Sequence, residues 1–221
     1  MPKAIIFDVD GTLVDSVKLH AMAWQDAFRD FGRDHDLQAL HDQIGKGGDQ
    51  LLPVFMSAED IEKDGERLEE HRGKILKSRY LDQIVAFPSV RALLQRLLDD
   101  GKVIALASSA KQEELSHYKK LADIDDLLQA ETSSDDAERS KPHPDIFQAA
   151  LKKLGVAPAD AIVVGDTPYD AEAATKAGVR TVGLLCGGWS EADLLEAGCI
   201  AVFRDPADLL DRYAASPLSG D

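Results

Sequence analysis

Short apolar runs alternate with amphipathic helical patterns through the second half of the chain. The runs predict strands at residues 102–107, 127–131, 161–164, 180–185 and 199–203. Apolar residues at helical spacing predict helices at 90–100, 112–121, 144–154, 170–177 and 206–214. Because strands separated by helices pair in parallel through right-handed crossovers, this order predicts an α/β fold with a doubly wound parallel sheet. Residues 4–7 are apolar throughout, as in a fully buried strand, and we assign them to the same sheet.

The first half of the chain shows a different pattern. Between residues 15 and 80 the apolar residues recur at helical spacing, with helical patterns at 36–44, 50–56 and 57–80. The sequence therefore predicts a small helical domain at 15–87, inserted into an α/β core domain formed by 1–14 and 88–221. We expect the last residues, 216–221, to be frayed.

Two carboxylates follow the first apolar run, at the point where its strand should end. Asp8 and Asp10 are separated by one residue, so an extended backbone directs them to similar sides, and Gly11 permits a sharp turn. Close carboxylates repel each other unless a proton or cation intervenes, and Mg²⁺ prefers oxygen ligands. The alternative is a simple turn at Asp10 and Gly11, with Asp15 or Ser16 capping the next helix.

Polar residues also follow two later strands. Ser108 and Ser109 come after the strand at 102–107, where they either contact a phosphate or, most readily for Ser109, cap the next helix. Lys141 precedes a proline, which holds it outside the following helix. Asp166 directly follows the strand at 161–164, and Asp170 is either a second ligand or a helix N-cap.

Parallel strands bring six of these candidates to one edge of the sheet, where open α/β sheets bind ligands. They are Asp8, Asp10, Ser108, Lys141, Asp166 and Asp170. Carboxylates, a hydroxyl and an ammonium group together suit phosphoryl transfer to an aspartate. One aspartate attacks phosphorus, another moves a proton, the hydroxyl and the ammonium group neutralise phosphate oxygens, and carboxylates hold Mg²⁺.

Composition limits the classes of partner. The 221 residues carry a net charge of −15, which argues against broad binding to nucleic acid or to an anionic membrane. No apolar run reaches membrane-spanning length and no secretory signal precedes the first strand. Cys186 and Cys199 are too few for a disulfide framework, so we expect reduced thiols and a cytoplasmic protein.

The same residues resemble a known family. The segment 8–12 (Asp-Val-Asp-Gly-Thr), Ser108, Lys141 and the segment 165–170 (Gly-Asp-Thr-Pro-Tyr-Asp) resemble the four ordered motifs of the haloacid dehalogenase (HAD) superfamily. The resemblance spans nearly the whole chain. The helical insertion after the first motif resembles the cap of the subgroup that contains phosphoglycolate phosphatases and β-phosphoglucomutases.

This resemblance implies a role for each matching residue. Asp8 would be the nucleophile, and Asp10 the general acid/base whose backbone carbonyl also binds Mg²⁺. Asp166 would be a metal ligand, and Asp170 a further ligand or the group that orients one. The phosphate-binding candidates are Ser108, Ser109 and Lys141. The family's strand order would place the strand at 161–164 beside the first strand.

Within the subgroup the signals conflict. The segment 20–24 resembles the His-x-x-Ala-Trp segment of β-phosphoglucomutases, although His20 and Trp24 also suit a helix core. The loop at 44–51 has no arginine where the mutases bind a second phosphate; Lys46 could substitute, and so could Lys74 or Lys77. The candidate substrate contacts from the first motif and the cap are Thr12, His20, Lys46, Gly47 and Gly48.

The sequence thus predicts a Mg²⁺-dependent phosphatase that acts on a small phosphorylated metabolite, of the sugar phosphate or phosphoglycolate type. We expect a monomer or a weak homodimer. The main alternative is a β-phosphoglucomutase-like sugar phosphomutase. A metal-independent haloacid dehalogenase is less favoured because those enzymes lack the Asp10-type acid, and the intact six-residue set argues against a non-catalytic binding module.

Overall fold

The computed structural model describes residues 2–219, and its centre is a six-stranded parallel sheet. The strands of this sheet are β1 (Ala4–Phe7), β4 (Val103–Ala107), β5 (Ala130–Thr132), β6 (Ala161–Gly165), β7 (Arg180–Leu184) and β8 (Cys199–Phe203). Their order across the sheet is β5-β4-β1-β6-β7-β8. The doubly wound α/β fold predicted from the sequence is confirmed.

Helices connect the strands and cover both faces of the sheet. They are α5 (Val90–Asp99), α6 (Gln112–Leu121), α7 (Asp145–Leu154), α8 (Pro168–Lys176), α9 (Glu191–Glu196) and α10 (Pro206–Asp211). The strand expected at 127–131 begins later, because Asp125–Leu127 forms a short 3₁₀ turn. The end of the chain also differs from expectation, since Ser216 and Leu218 are buried; residues 220 and 221 lie outside the described part.

Strand β1 lies in the middle of the sheet, where Ala4 is opposite Val103 of β4 on one side and Ala161 of β6 on the other. Its side chains alternate between two apolar clusters on opposite faces: Ile5 belongs to one and Ile6 to the other. Burial on both faces explains why this strand has no polar residue.

The helices before α5 pack around a separate apolar cluster. They are α1 (Val17–Asp30), α2 (Leu37–His41), α3 (Gly48–Phe55) and α4 (Ala58–Ile75), which continues as a π-helical turn (Leu76–Tyr80) and a 3₁₀ turn (Leu81–Gln83). Trp24, Phe28, Leu51 and Leu68 are among the buried residues of this cluster. We call α1–α4 and the two following turns the helical segment.

A short antiparallel pair lies where the chain enters and leaves the helical segment. Strand β2 (Val14–Asp15) pairs with β3 (Val85–Ala86), with Val14 opposite Ala86. Two-residue strands are too short for a periodic signal, so the sequence pattern did not predict them. Among residues 2–219, no helix has both the length and the apolar character needed to cross a membrane.

Candidate active site

The carboxyl ends of three adjacent strands carry the polar residues that the motifs predict. Asp8 follows β1, Ser108 follows β4 and Asp166 follows β6, and all three are buried. Because β1 pairs with both β4 and β6, the three side chains start from neighbouring positions at one edge. This adjacency of β1 and β6 is the one that the family resemblance implied.

Three carboxylates meet at this edge. Asp8, Asp166 and Asp170 each offer an oxygen, and these oxygens lie within 4.8 Å of one another. Thr12 donates from Oγ1 to Asp166 Oδ1 at 2.7 Å, whereas Asp166 Oδ2 is buried without a hydrogen-bond partner among the described residues. A Cβ at Gly11 or at Gly187 would overlap the Asp166 carboxylate, so both glycines keep space for it.

Burial and mutual repulsion disfavour the charged forms of these carboxylates. Burial is the main cause that raises the pKa of Asp8 to about 7; the Lys141 charge opposes it, and Asp170 and Asp10 add to it. Burial also raises the pKa of Asp166 well above its usual range, helped by Asp8 and Asp170. A cation between these oxygens would relieve the repulsion and give Asp166 Oδ2 a partner.

Lys141 places a positive charge against two of the three carboxylates. Its Nζ donates to Asp8 Oδ1, lies 2.7 Å from Asp170 Oδ1 and donates to the Ala107 carbonyl at 3.2 Å. Burial alone would lower the pKa of Lys141, but Asp170 and Asp8 raise it above its usual range. As predicted, Lys141 lies outside a helix, since α7 begins at Asp145.

Asp170 is fixed by the start of helix α8. Thr167 is the N-cap of that helix, and Pro168 is its first residue. The Thr167 backbone N–H and hydroxyl donate to Asp170 Oδ2 at 3.1 and 2.7 Å, which leaves Oδ1 facing Lys141. The alternative that Asp170 is itself the N-cap is wrong, because the helix starts one residue after Thr167.

Asp10 lies in a separate hydrogen-bonded group. Its Oδ1 accepts from Ser16 Oγ at 2.6 Å and lies 2.9 Å from His20 Nε2, which is also 3.0 Å from the Tyr118 hydroxyl. Burial would raise the pKa of Asp10, but the electrostatic interaction with His20 and the hydrogen bonds from His20 and Ser16 lower it. Ser16 stands at the N-cap of α1 without capping it, since its hydroxyl goes to Asp10.

The two serines after β4 have different surroundings. Ser108 is buried, and its Oγ accepts from the Ala110 backbone N–H at 3.0 Å. Ser109 donates from Oγ to the carbonyl of Gly45 in the helical segment at 3.2 Å. The expectation that Ser109 caps α6 is wrong, because Lys111 is the N-cap residue of that helix.

The remaining substrate candidates lie in the loop before α3 and at the first residue of that helix. Lys46 donates from Nζ to Gln43 Oε1 at 2.6 Å, and the same atom lies 4.3 Å from the centre of the Tyr169 ring. Burial lowers the pKa of Lys46, with Glu172 opposing. A Cβ at Gly47 would overlap Ser140 Oγ, and one at Gly48 would overlap the Glu69 carboxylate. Lys46 is therefore already partnered, and a carboxylate fills the space beside Gly48.

Three side chains near this edge were not predicted from the sequence. Arg72 of α4 stacks over Trp24, with its guanidinium carbon 5.1 Å from the ring centre, and its Nη1 lies 3.7 Å from Glu114 Oε1 of α6. Arg72 and Glu114 line the same small cavity as Asp8 and Asp10. The third is Tyr118 beside His20. Their helical spacing is visible in the sequence, but the direction in which those helix faces point is not.

Comparisons with known proteins agree with this arrangement. The family profile described as haloacid dehalogenase-like hydrolase matches residues 5–184. The chain is 28% identical over 211 residues to a phosphorylated carbohydrates phosphatase of Thermotoga maritima, covering 95% of this chain and 97% of that protein. It is 32% identical over 193 residues to a phosphoglycolate phosphatase of Aquifex aeolicus, covering 84% of this chain and 85% of that protein.

A solved structure supports the same assignment at the level of the fold. The crystal structure of a hydrolase from Pseudomonas syringae superposes with a TM-score of 0.87 at 32% sequence identity, and the match covers 96% of this chain and 98% of that one. The matched residues 5–184 include the carboxylate edge, Lys141 and the helical segment. The chain belongs to the haloacid dehalogenase-like hydrolase family, as an enzyme of the phosphatase type.

Proposed function

We propose that this protein is a Mg²⁺-dependent phosphatase that hydrolyses a small phosphorylated metabolite through an aspartyl-phosphate on Asp8. The observation that carries the proposal is the grouping of Asp8, Asp166, Asp170 and Lys141, all buried at one edge of the sheet. The names of the two curated relatives favour a sugar phosphate or phosphoglycolate as the type of substrate.

In this reaction Asp8 and Asp10 have separate tasks. A carboxylate oxygen of Asp8 forms a bond to phosphorus while the bond from phosphorus to the ester oxygen breaks, and Asp10 gives a proton to the leaving oxygen. Asp10 then removes a proton from a water molecule that attacks the phosphorus, which releases phosphate and regenerates Asp8. The Ser16 and His20 contacts hold the Asp10 carboxyl group in one position for both transfers.

Lys141 and Ser108 would bind the phosphoryl oxygens. The ammonium of Lys141 lies against Asp8, so a phosphorus atom bonded to Asp8 would have this positive charge beside it. Ser108 starts from the neighbouring strand, and its hydroxyl proton is free to donate because Oγ is the acceptor in its bond with Ala110. Ser109 is bonded to Gly45, and we assign it to contact between the two regions.

The donor set suits magnesium. Asp8 and Asp166 offer carboxylate oxygens, and Asp166 Oδ2 has no other partner among residues 2–219. Both Asp170 oxygens face other groups, Lys141 and Thr167, so we assign Asp170 to orient Lys141. When bound, the ion would neutralise charge on the phosphoryl oxygens and orient the substrate.

Water is proposed as the final acceptor of the phosphoryl group, rather than a sugar hydroxyl. A phosphomutase must bind a second phosphate while its bisphosphorylated intermediate reorients. The loop before α3 has only Lys46 for this task, its Nζ is already bonded to Gln43, and Glu69 fills the space beside Gly48. An anionic group near Gly48 would meet this carboxylate.

The helical segment is proposed to act as a cap over the edge of the sheet. Hydrogen bonds join it to the α/β part, among them those from Ser109 Oγ to Gly45 O at 3.2 Å, from the Tyr169 hydroxyl to Asp42 O at 2.6 Å, and from the Ser140 backbone N–H to Asp49 Oδ2 at 3.1 Å. A substrate bound at Asp8 would therefore lie between the two regions and be shielded from water.

Replacement of the nucleophile tests the proposal. Asp8→Asn should abolish phosphate release from p-nitrophenyl phosphate with Mg²⁺, because an amide cannot attack phosphorus. Asp15→Asn is the matched control, since Asp15 is an exposed aspartate on the same loop, and it should retain activity. Release near the wild-type rate by a folded, undeamidated Asp8→Asn protein would refute the aspartyl-phosphate mechanism.

A second assay tests the acceptor. The enzyme is incubated with β-glucose 1-phosphate, a trace of the 1,6-bisphosphate and Mg²⁺, and glucose 6-phosphate and free phosphate are followed together. Free phosphate should appear without accumulation of the isomer. Isomer that accumulates much faster than phosphate would show a mutase.

A further inference from the structure

Two cavities meet beside the catalytic carboxylates. A small one lies next to Asp8 and Asp10, and a larger one of about 420 Å³ opens between α4 and α6. The residues that line both cavities are Lys46, Arg72, Ser109, Ala110 and Glu114. With the phosphoryl group at Asp8, the leaving group of the substrate has to pass this junction to reach the larger cavity.

Arg72 and Glu114 face each other where the two cavities meet, and they do not form a hydrogen bond with each other. Their side chains are 18% and 6% exposed, and the 3.7 Å between Arg72 Nη1 and Glu114 Oε1 is too long for a hydrogen bond. Arg72 Nε is buried with no partner in the described part of the chain. The junction therefore presents unused donors on one side and an acceptor-only carboxylate on the other.

The larger cavity does not supply a positive field to attract a second anion. Its walls carry the acidic residues Asp49, Glu69, Glu70, Glu113, Glu114 and Glu138. The cationic residues on the same walls are Lys46, Arg72, Lys74, Lys77 and Lys111. Lys46 is bonded to Gln43, and Lys77 lies 2.5 Å from Glu113, so two of these cations are already partnered.

We infer that Glu114, together with Arg72, is a specificity-determining residue that selects substrates with a neutral, hydroxylated leaving group next to the phosphate. The inference rests on the proposed phosphatase function. A hydroxyl group can donate to Glu114 and accept from Arg72 at once, whereas a carboxylate or a second phosphate in its dianionic form can only accept and is repelled by Glu114. This chemistry separates polyol phosphates from phosphoglycolate-like and pyrophosphate-like substrates.

Paired substrates test the role of charge in the leaving group. 2-Hydroxyethyl phosphate has a hydroxymethyl group where 2-phosphoglycolate has a carboxylate. Glucitol 6-phosphate and 6-phosphogluconate differ in the same way on a longer chain. We expect the wild-type kcat/KM to be at least about tenfold higher for the neutral member of each pair, since juxtaposed like charges are strongly unfavourable.

Substitutions of Glu114 test whether its carboxylate causes the preference for neutral leaving groups. Glu114→Gln should reduce the neutral-to-anionic ratio at least about fivefold, by lowering KM for the anionic members, whereas Glu114→Asp keeps the charge and should keep the preference. The control is Glu113→Gln, which should leave the ratios unchanged. The Glu113 carboxylate also lines the larger cavity, but its side chain is 77% exposed and paired with Lys77.

The ratios separate selectivity from a general defect in folding, because misfolded protein lowers both members of a pair equally. Wild-type enzyme that prefers the anionic members, or ratios that Glu114→Gln leaves unchanged, would overturn the inference while p-nitrophenyl phosphate is still hydrolysed. If p-nitrophenyl phosphate and both pairs resist hydrolysis with Mg²⁺, the proposed function fails, and this inference fails with it.

Discussion

The carboxyl edge of the sheet and the junction between the helical segment and α6 hold their charged residues in different ways. At the edge, Lys141 is fully buried and lies 2.7 Å from Asp170. Asp170 lies in the first turn of α8, and Lys141 lies in the loop before α7. In the facing pair, Arg72 belongs to α4 and Glu114 to α6, and they are 3.7 Å apart. The backbone of one sheet fixes the first group, while the second depends on packing between two regions.

This difference separates the residues suited to catalysis from those suited to the selection of substrates. Residues that directly follow paired strands, such as Asp8 and Asp166, can provide a rigid geometry for chemistry. Residues carried on separate helices can change without disturbing that geometry, which suits the selection of substrates. We expect substitutions at the edge to lower turnover for every substrate. Substitutions of Arg72 or Glu114 should change kcat/KM by different factors for different substrates.

Removal of divalent cations should give the largest effect. Exhaustive chelation is expected to lower kcat by about 10³-fold or more for every substrate, because a catalytic ion supplies several kcal/mol of transition-state stabilisation. Added Mg²⁺ should restore activity and Ca²⁺ should restore it poorly, since calcium prefers longer bonds and more ligands. Full activity after chelation would contradict the magnesium assignment.

Replacement of Lys141 should give the next largest effect. Lys141→Met is expected to reduce kcat by about 10²–10³-fold, as for the loss of one group that stabilises charge in a transition state. It should also reduce the free energy of unfolding by about 3–5 kcal/mol, because Asp8 and Asp170 lose their buried partner. Urea unfolding and steady-state assays measure the two effects. Lys153→Met is the control, since this lysine is partly exposed, and it should alter both quantities only slightly.

Loss of a single contact between the two regions should give the smallest effect. Tyr169→Phe removes the hydroxyl that donates to the Asp42 carbonyl, and we expect KM to rise about two- to fivefold with little change in kcat, from the loss of about 1 kcal/mol. Ser116→Ala is the control, since the Ser116 hydroxyl donates only to the Gln112 carbonyl within its own helix. A kcat loss for Tyr169→Phe as large as that for Lys141→Met would remove the distinction between the two regions.

The carboxylate edge could be predicted from the sequence because parallel strands all end on the same side of a sheet. Asp8, Asp166 and Lys141 each follow or precede a clear element boundary, so their approximate positions follow from the strand order. Two capping assignments failed, at Ser109 and Asp170, because the exact first residue of a helix is not specified by periodicity. At α8 the pairing of Thr167 with Pro168 was the available signal, since proline favours the first helical position.

The positions of Arg72 and Glu114 could not be predicted in the same way. Arg72 lies in a long, strongly charged stretch in which many residues could be exposed, and Glu114 lies in the first turn of a helix, where an acidic residue is favoured for local reasons. Their proximity arises only in the folded chain, where Arg72 of α4 lies opposite Glu114 of α6. The choice of Lys46, Gly47 and Gly48 rested on resemblance, and the structure shows Lys46 already bonded and the glycines crowded by Ser140 and Glu69.

The crowding around Asp166 has a consequence for mutational tolerance. A methyl group at Gly187 would overlap the Asp166 carboxylate, although Gly187 carries no charge and belongs to none of the four motifs. At Gly73 in α4, by contrast, an added Cβ would have no other atom within 4 Å, so alanine should be tolerated there. In a saturation library selected for activity, Gly187 should therefore be depleted of all substitutions as strongly as Asp166 itself, while Gly73 accepts alanine.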